Sequence, residues 1–445
     1  MRLILLDSPE EVRGNFYPLT LSRPLWELRC GFTSLGEKLI AKVGVSPRSC
    51  LRQEDTEVAY FVPDYMADAY RAKLVRRAVE GVEHPVNDPS VLQGDDLLIV
   101  DPRVKAASFN VSANGPSEVG LDEKGSLLYA RVAKADLAKL PTDDVGKFIA
   151  AAKTKLPNVR SALPTWHYIW ELILANPEQI TAEFSAAGRN GVEGKVEQPN
   201  AIRGNRKDVY IAPGVTVHPM VVIDADNGPV YIDEGAEVHP FSHIEGPCYI
   251  GKESVLLGAK CCEGNSIGPV CRIGGELEES IIQGYSNKCH DGFLGHAYVG
   301  EWVNLGALTT NSDLKNDYST VSVIMDGRKA IDTGSVKVGS LIGDHVKTSI
   351  GTLLNTGAYV GAMALIVATG KPLPKFIPSF AWFVEGVVTK GFGKEKLYES
   401  AKVAMSRRQC QWTAAEQTMW DAVFEMTAPM RNEAVKKGRI AMLTR

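Results

Sequence analysis

The stretch IIQGYSNKCHDGFLGHAYVGEWVNLGALTTNSDLK, from Ile281 to Lys315, gathers two histidines, His290 and His296, with Lys288 and three asparagines among frequent glycines. Imidazole titrates near neutral pH, so either histidine can carry a proton or ligate a metal under ordinary conditions. A lysine close by supplies a cation for an anionic substrate. Nearer the amino terminus, Asp7 and Asp101 each close a short apolar run, LILL and LLIV. In open α/β sheets ligands sit beyond the carboxyl ends of the strands, so an aspartate there suits a metal or a ribose hydroxyl as well as a plain turn. Arg23, Arg29 and Lys38 lie in the segment that follows the first run, where they can grip phosphate or pack a loop onto Trp26 and Phe32.

These side chains must be held by two different kinds of scaffold. Residues Leu3–Leu6 and Leu97–Val100 read as strands with helical patterns between and after them, an α/β signature. From Asp143 to Ala187 the pattern is helical, and Trp166, Ile169, Trp170 and Ile173 form a stripe that reads as core joining two domains. The polar, glycine-rich 188–208 reads as linker. From Val209 the apolar beat changes. Ile211, Val217 and Ile223 are six apart, as are Ile232, Val238, Ile244, Ile250 and Leu256, and later Val336, Ile342, Thr348, Leu354, Val360 and Ile366. Within the opening stretch the beat is carried by Ile281, Phe293, Val299 and Leu305. A six-residue period is the mark of a left-handed parallel β-helix built from hexapeptide repeats. Two interruptions, at 277–280 and 311–333, flank the histidines and read as loops that leave the stack for function. After Lys371, PLPKFIPSFAW reads as an extended crossover, followed by two amphipathic helices, the second opened by the capping box Thr413 to Glu416. They are expected to cap the open end of the β-helix. The chain therefore divides into 1–187, 188–208, 209–371 and 372–445.

Composition excludes several classes. Hydrophobic residues make up 44% and charged residues 23%, as in soluble globular proteins. A formal net charge of -4 with no basic stripe argues against nucleic acid as partner. No run of about twenty apolar residues is present, so no membrane span is expected, and MRLILLDSPEE is too short in its apolar part for a signal peptide. Eight cysteines without a CxxC pair suit reduced thiols in the cytoplasm.

Several segments together resemble the GlmU-like bifunctional N-acetylglucosamine-1-phosphate uridyltransferases/glucosamine-1-phosphate N-acetyltransferases, in a divergent sugar nucleotidyltransferase branch. They are PLTLSRP (18–24), GPVYI (228–232), IGGELEESIIQGYSNK (273–288), HDGFLGH (290–296), GEWVNLGALTTNSDLKNDY (300–318) and IPSF (377–380). The resemblance implies a Rossmann-like nucleotidyltransferase domain, a trimer of β-helices and acetyl-CoA as co-substrate. His290 matches the histidine that takes a proton from the sugar amine, because an ammonium has no lone pair with which to attack a thioester. Asn304 and Ala307 match a sugar-contacting asparagine and an acyl-CoA-contacting alanine, and Lys260 falls near a cation for the sugar phosphate. Phe293 stands where the family has tyrosine, and Glu278 where it has a second phosphate-binding lysine; Lys288 is expected to replace that lysine. In the first domain Asp101 matches a magnesium-binding aspartate, with Arg23 and Lys38 on the nucleotide, although only Gly14 remains of the glycine-rich phosphate loop.

The implied activity is acetyl transfer to an amino-sugar phosphate such as glucosamine 1-phosphate, with nucleotidyl transfer from UTP as a second step towards a nucleotide sugar. Three alternatives stand beside it: a nucleotidyltransferase alone, a non-catalytic nucleotide-sugar-binding regulator, and a γ-carbonic-anhydrase-like β-helix. The last would hold zinc through His290 and His296 with His239, His243 or His345.

Overall fold

The computed structural model describes residues 1–44, 57–77, 84–367 and 370–443. Cys50 lies outside them; the other seven cysteines are free thiols.

The first domain is built on β1 (Arg2–Leu6), β2 (Glu57–Phe61), β3 (Leu97–Val100), β4 (Glu118–Leu121), β5 (Leu127–Val132) and β6 (Asn158–Arg160), in the order β2-β1-β3-β5-β4-β6. β1 runs parallel to both β2 and β3, and β5 turns antiparallel against β3. Alternate side chains of β1 serve opposite faces, as a doubly covered sheet requires. Leu3 and Leu5 join Trp26 and Tyr60 on one side, while Ile4 joins Phe148 and Ala152 on the other. The helices follow: α1 (Glu10–Arg13), α2 (Leu35–Val43), α3 (Ala67–Arg77), α4 (Val145–Lys155) and α5 (Ile169–Ala187). Ser34 and Glu37 form a capping box that starts α2.

Three sheets then wrap a parallel β-helix. Its longest face stacks ten strands, whose inward ladder is Ile211, Ile232, Ile250, Ile267, Ile282, Val299, Ile342, Val360 and Ile377. Each buried branched side chain removes apolar area worth roughly 1.5–3 kcal/mol. The Trp stripe joins the domains as expected: Trp166, Ile169, Trp170 and Ile173 pack on Ile281, Tyr298, Leu341 and Tyr359 from the outer side of that ten-stranded face. At the centre of this seam Asn176 is fully buried. Its carboxamide accepts from the Gly31 N–H and the Ser266 hydroxyl, and donates to the Gly264 carbonyl.

Several boundaries differ from expectation. The stretch 188–208 is the first coil: Gly191–Val192, Lys195–Val196 and Ala201–Gly204 pair in parallel with the coil above. At the far end PLPKFIPSFAW does stack. Phe376–Ile377 pairs with Tyr359–Val360, and Trp382–Val384 with Leu365–Val367, because the prolines fall outside the paired residues and leave Ile377 and Phe383 turned inward. The β-helix thus spans about 191 to 384. Leu277 is inward rather than looped, in a shortened coil, and Ile282 and Leu294 replace Ile281 and Phe293 as the inward positions, Ile281 being buried on the outer side against α5. Val336 is exposed, so the second run starts at Ile342. The later interruption holds an antiparallel hairpin, Ser322–Ile324 with Ala330–Asp332, whose Val323, with Val321 just before it, packs into the α5 seam.

Three helices end the chain: α6 (Gly393–Ser406), α7 (Ala414–Met426) and α8 (Ala428–Leu443). The expected capping box at Thr413 and Glu416 is present. α6 and α7 join the last coils to the first domain. Leu397, Tyr398, Met419 and Trp420 share one core with Met66 and Tyr70 of the first domain and with Met363 and Phe380 of the last coils. The stack is closed by Val387–Thr389, which folds back antiparallel on Trp382–Val384, and by α8 over it. Gly438 of α8 approaches so near that an added Cβ would lie 2.4 Å from the Val388 carbonyl oxygen.

Candidate functional site

Successive coils bring the side chains of one corner of the β-helix together. In that corner a groove of about 390 Å³ is lined by Gly258, Lys260, Gly275, Glu276, Asp291, Gly292 and Phe293. Glycines make it possible. Gly275 and Gly292 have φ of +69° and +123°, and a Cβ on Gly292 would meet the Thr309 carbonyl oxygen at 2.2 Å. The one-residue shift that turns Leu294 inward turns Phe293 out into the groove, so an aromatic plane forms part of its wall.

His290 is exposed at this corner, next in sequence to Asp291 of the groove wall, and its imidazole has no hydrogen-bond partner among the described residues. Lys260 is exposed, 3.0 Å from Glu276. Asn304 is exposed one coil on, in parallel register with Asn287 and hydrogen-bonded to it, and Ala307 follows at half-burial. Lys260 and Phe293 therefore lie on one face of the β-helix and Asn304 on the adjoining face, with His290 and Ala307 at the corner between them.

Lys288 is different. It pairs with Ile273, so its side chain enters the bore of the β-helix at a position otherwise held by apolar residues. Its ammonium donates to the carbonyls of Gly274, at 2.9 Å, and His290, at 2.8 Å. Burial lowers its pKa to about 8. Lys288 thus ties down the backbone of the His290 corner from within, and it does not face the groove as the substitute phosphate ligand expected from sequence.

His296 is buried with its ring between Asp313, 2.8 Å from Nδ1, and Glu279, 3.3 Å from Nε2. Burial opposes its charge, but the hydrogen bonds to Asp313 and Glu279 prevail and raise its pKa to about 9. His345 is buried where the first domain meets the β-helix, while His239 and His243 face Glu237 and Glu245. Within one chain the histidines named for a three-histidine zinc site do not converge.

In the first domain the strand-end carboxylates are already matched by arginines. Asp7 lies 2.9 Å from Arg13, both nearly fully buried, and Asp101 takes a forked contact from Arg103 and a hydrogen bond from Ser8. Burial raises the pKa of Asp7 to about 6 and that of Asp101 also, against the pull of the arginines. The donor set does not fit Mg2+, whose place beside Asp101 is taken by a guanidinium. Arg23 leaves its own domain to pair with Asp344 and Glu301 of the β-helix, and Lys38 pairs with Glu183 of α5 at 2.7 Å. Sequence reading missed Arg13 and Arg103, although the spacing DPR at 101–103 placed a cation beside the aspartate.

Residues 3–190 match the family model described as sugar nucleotidyl transferase. The "Bifunctional sugar-1-phosphate nucleotidylyltransferase/acetyltransferase" of Sulfurisphaera tokodaii is 36% identical over 151 residues, 31% of this chain and 35% of that protein. The "Bifunctional protein GlmU" of Anaplasma marginale is 32% identical over 150 residues, 30% of this chain and 34% of its own. That of Synechococcus elongatus is 29% identical over 172 residues, covering 38% and 32%. The chain matches about a third of the length of these curated relatives.

Proposed function

We propose that the β-helix transfers an acetyl group from acetyl-CoA to the amine of an amino-sugar phosphate of the glucosamine 1-phosphate kind. The observation that carries this is the unpaired imidazole of His290 beside a groove with a cation, Lys260, and an aromatic wall, Phe293. His290 takes the proton as the amine nitrogen attacks the thioester carbonyl. A C–N bond forms, the C–S bond breaks, and coenzyme A leaves as thiol after protonation. Lys260 holds the sugar phosphate, Asn304 the sugar, and Ala307 lies along the acyl-CoA. The names of the relatives support the chemistry. Thiol release from acetyl-CoA with a panel of amino-sugar 1-phosphates tests it: release with one sugar, abolished in His290→Ala, is expected, and no release with any sugar rejects it.

Uridylyl transfer from UTP to the acetylated sugar 1-phosphate is a second reading, favoured by the family match over residues 3–190. Pyrophosphorolysis of the nucleotide sugar with Mg2+ decides it. Turnover that is lost in Asp101→Ala supports it, and no turnover in the wild type rejects it.

A homotrimer with sites between neighbouring β-helices goes with acetyl transfer. Met220, Phe241, Leu308 and Ile350 expose apolar side chains at coil corners, Phe241 by 77%, which suits burial against another copy. A cytoplasmic setting goes with acetyl-CoA and free thiols. Among the described residues no helix is long and apolar enough to cross a membrane.

A further inference from the structure

On the same side of the β-helix as His290, but in its first coils, two histidines and a carboxylate converge without a part in acetyl transfer. Parallel pairing sets Thr216 beside Glu237 and Val217 beside Val238, so the residues that follow, His218 and His239, are neighbours in adjacent coils with ring centroids 5.0 Å apart. Both present Nε2 to the same oxygen, Oε1 of Glu237, at 2.8 Å from His218 and 3.3 Å from His239. The three donor atoms all lie within 4.8 Å of one another. For a tetrahedral ion with bonds of about 2.0–2.1 Å, ligand atoms stand roughly 3.3 Å apart. The other ring nitrogen of His218 faces Glu197 at 3.2 Å. That is the carboxylate–histidine arrangement which orients a ligating imidazole and makes it a better donor.

We propose that His218, Glu237 and His239 bind a divalent cation of the zinc class, with Glu197 as the positioning residue behind His218. Two nitrogens and one carboxylate oxygen suit Zn2+ or Co2+ and do not suit Mg2+ or Ca2+, which prefer all-oxygen shells. The ligands come from paired strands of a rigid stack, so little ordering entropy opposes binding. All three side chains are partly exposed, which leaves an entry path and a free coordination position. Lys195 pairs with Glu197 and so helps to fix the carboxylate that stands behind His218.

The test uses the full-length protein stripped of metal, titrated with Co2+ by visible absorption and with Zn2+ by competition against a chromophoric chelator. One tetrahedral Co2+ per chain, displaced by Zn2+, is expected. His239→Ala should abolish it, Glu197→Gln should weaken it about tenfold or more without touching a ligand, and His243→Ala should leave it unchanged. Thermal melting followed by circular dichroism checks that each variant is folded. Cobalt bands with thiolate-to-metal charge transfer, or an affinity unaltered in both His239→Ala and Glu197→Gln, would overturn the proposal.

Discussion

Replacing Lys288 by methionine probes the most unusual feature of the candidate site, a cation inside the bore of a β-helix. Methionine keeps the unbranched stem that fills the space above Ile273, so the packing of the coil survives. What changes is the charge. The ammonium's pKa falls from 10.5 to about 8 through burial, which corresponds to roughly 3 kcal/mol against the charged form even with both carbonyl contacts in place. Because the folded pKa lies below the unfolded one, the unfolded chain binds a proton between about pH 8 and 10.5 that the folded chain does not. Stability contributed by Lys288 therefore rises with pH across that window, and below it the cost is present in full. The expected change is about 2 kcal/mol between pH 7 and pH 9.5. Losing the donor to the Gly274 and His290 carbonyls adds a penalty of about 1–3 kcal/mol for each carbonyl left unsatisfied, but that penalty does not vary with pH. Urea unfolding of wild type and Lys288→Met, measured side by side from pH 7 to 9.5, isolates the slope, because every other titrating group is shared by the two proteins. A stability difference that stays flat over this range would refute the burial of a titrating ammonium. The proposed acetyl transfer should fall in the variant at every pH, since the corner that carries His290 is no longer tied down.

Asp344→Ala removes the partner of Arg23 and leaves a guanidinium buried at the junction of the two domains, with Glu301 at 3.4 Å as its remaining partner; a loss of about 3–5 kcal/mol is expected, and a thermal midpoint equal to that of the wild type would contradict it. His296→Gln tests the imidazolium held by Asp313 and Glu279. Its folded pKa of about 9 lies above the unfolded 6.5, so its contribution is complete below about pH 6.5 and fades as pH rises through 9. The stability advantage of wild type over His296→Gln should thus shrink between pH 6.5 and 9, and an advantage that grows there would exclude a charged ring.

The β-helix was legible because one inward residue per six leaves a beat that few other folds share, and Ile232 through Leu256 keep it without a slip. Legibility failed where coils shorten. Ile273, Leu277 and Ile282 are inward at spacings of four and five, so counting by sixes from Ile281 lands on Phe293, which faces the groove, instead of Leu294. Lys288 was misassigned for a related reason: position in the repeat says that it points inward, while its chemistry says that it should not. Proline misled at the end of the stack, since Pro374 and Pro378 sit beside the paired residues of the last coil rather than within them. α8 escaped notice because its buried side includes Arg431 and Gly438, and apolar periodicity finds neither. The contacts of α6 and α7 with the first domain join residues far apart in sequence, and no local pattern encodes them.

The two candidate centres differ most in what already balances their charges. At the groove, His290 is unpaired and Lys260 is held only by Glu276, in an ion pair open to solvent that a phosphate can displace at little cost. In the first domain, Asp7, Asp101 and Arg23 have each found an ion-pair partner inside the protein, with little exposure to solvent. A metal-bound nucleotide must break at least the Asp101–Arg103 contact before it can bind. If that contact resists by about 3 kcal/mol, the competent state is rare and the apparent dissociation constant rises about a hundredfold. Arg103→Ala consequently separates two causes of a silent first domain. Nucleotide binding that tightens in the variant would show a site held shut by its own arginine, whereas no binding in either protein would show that the loss of the glycine-rich loop, and not the ion pair, removed the phosphate site.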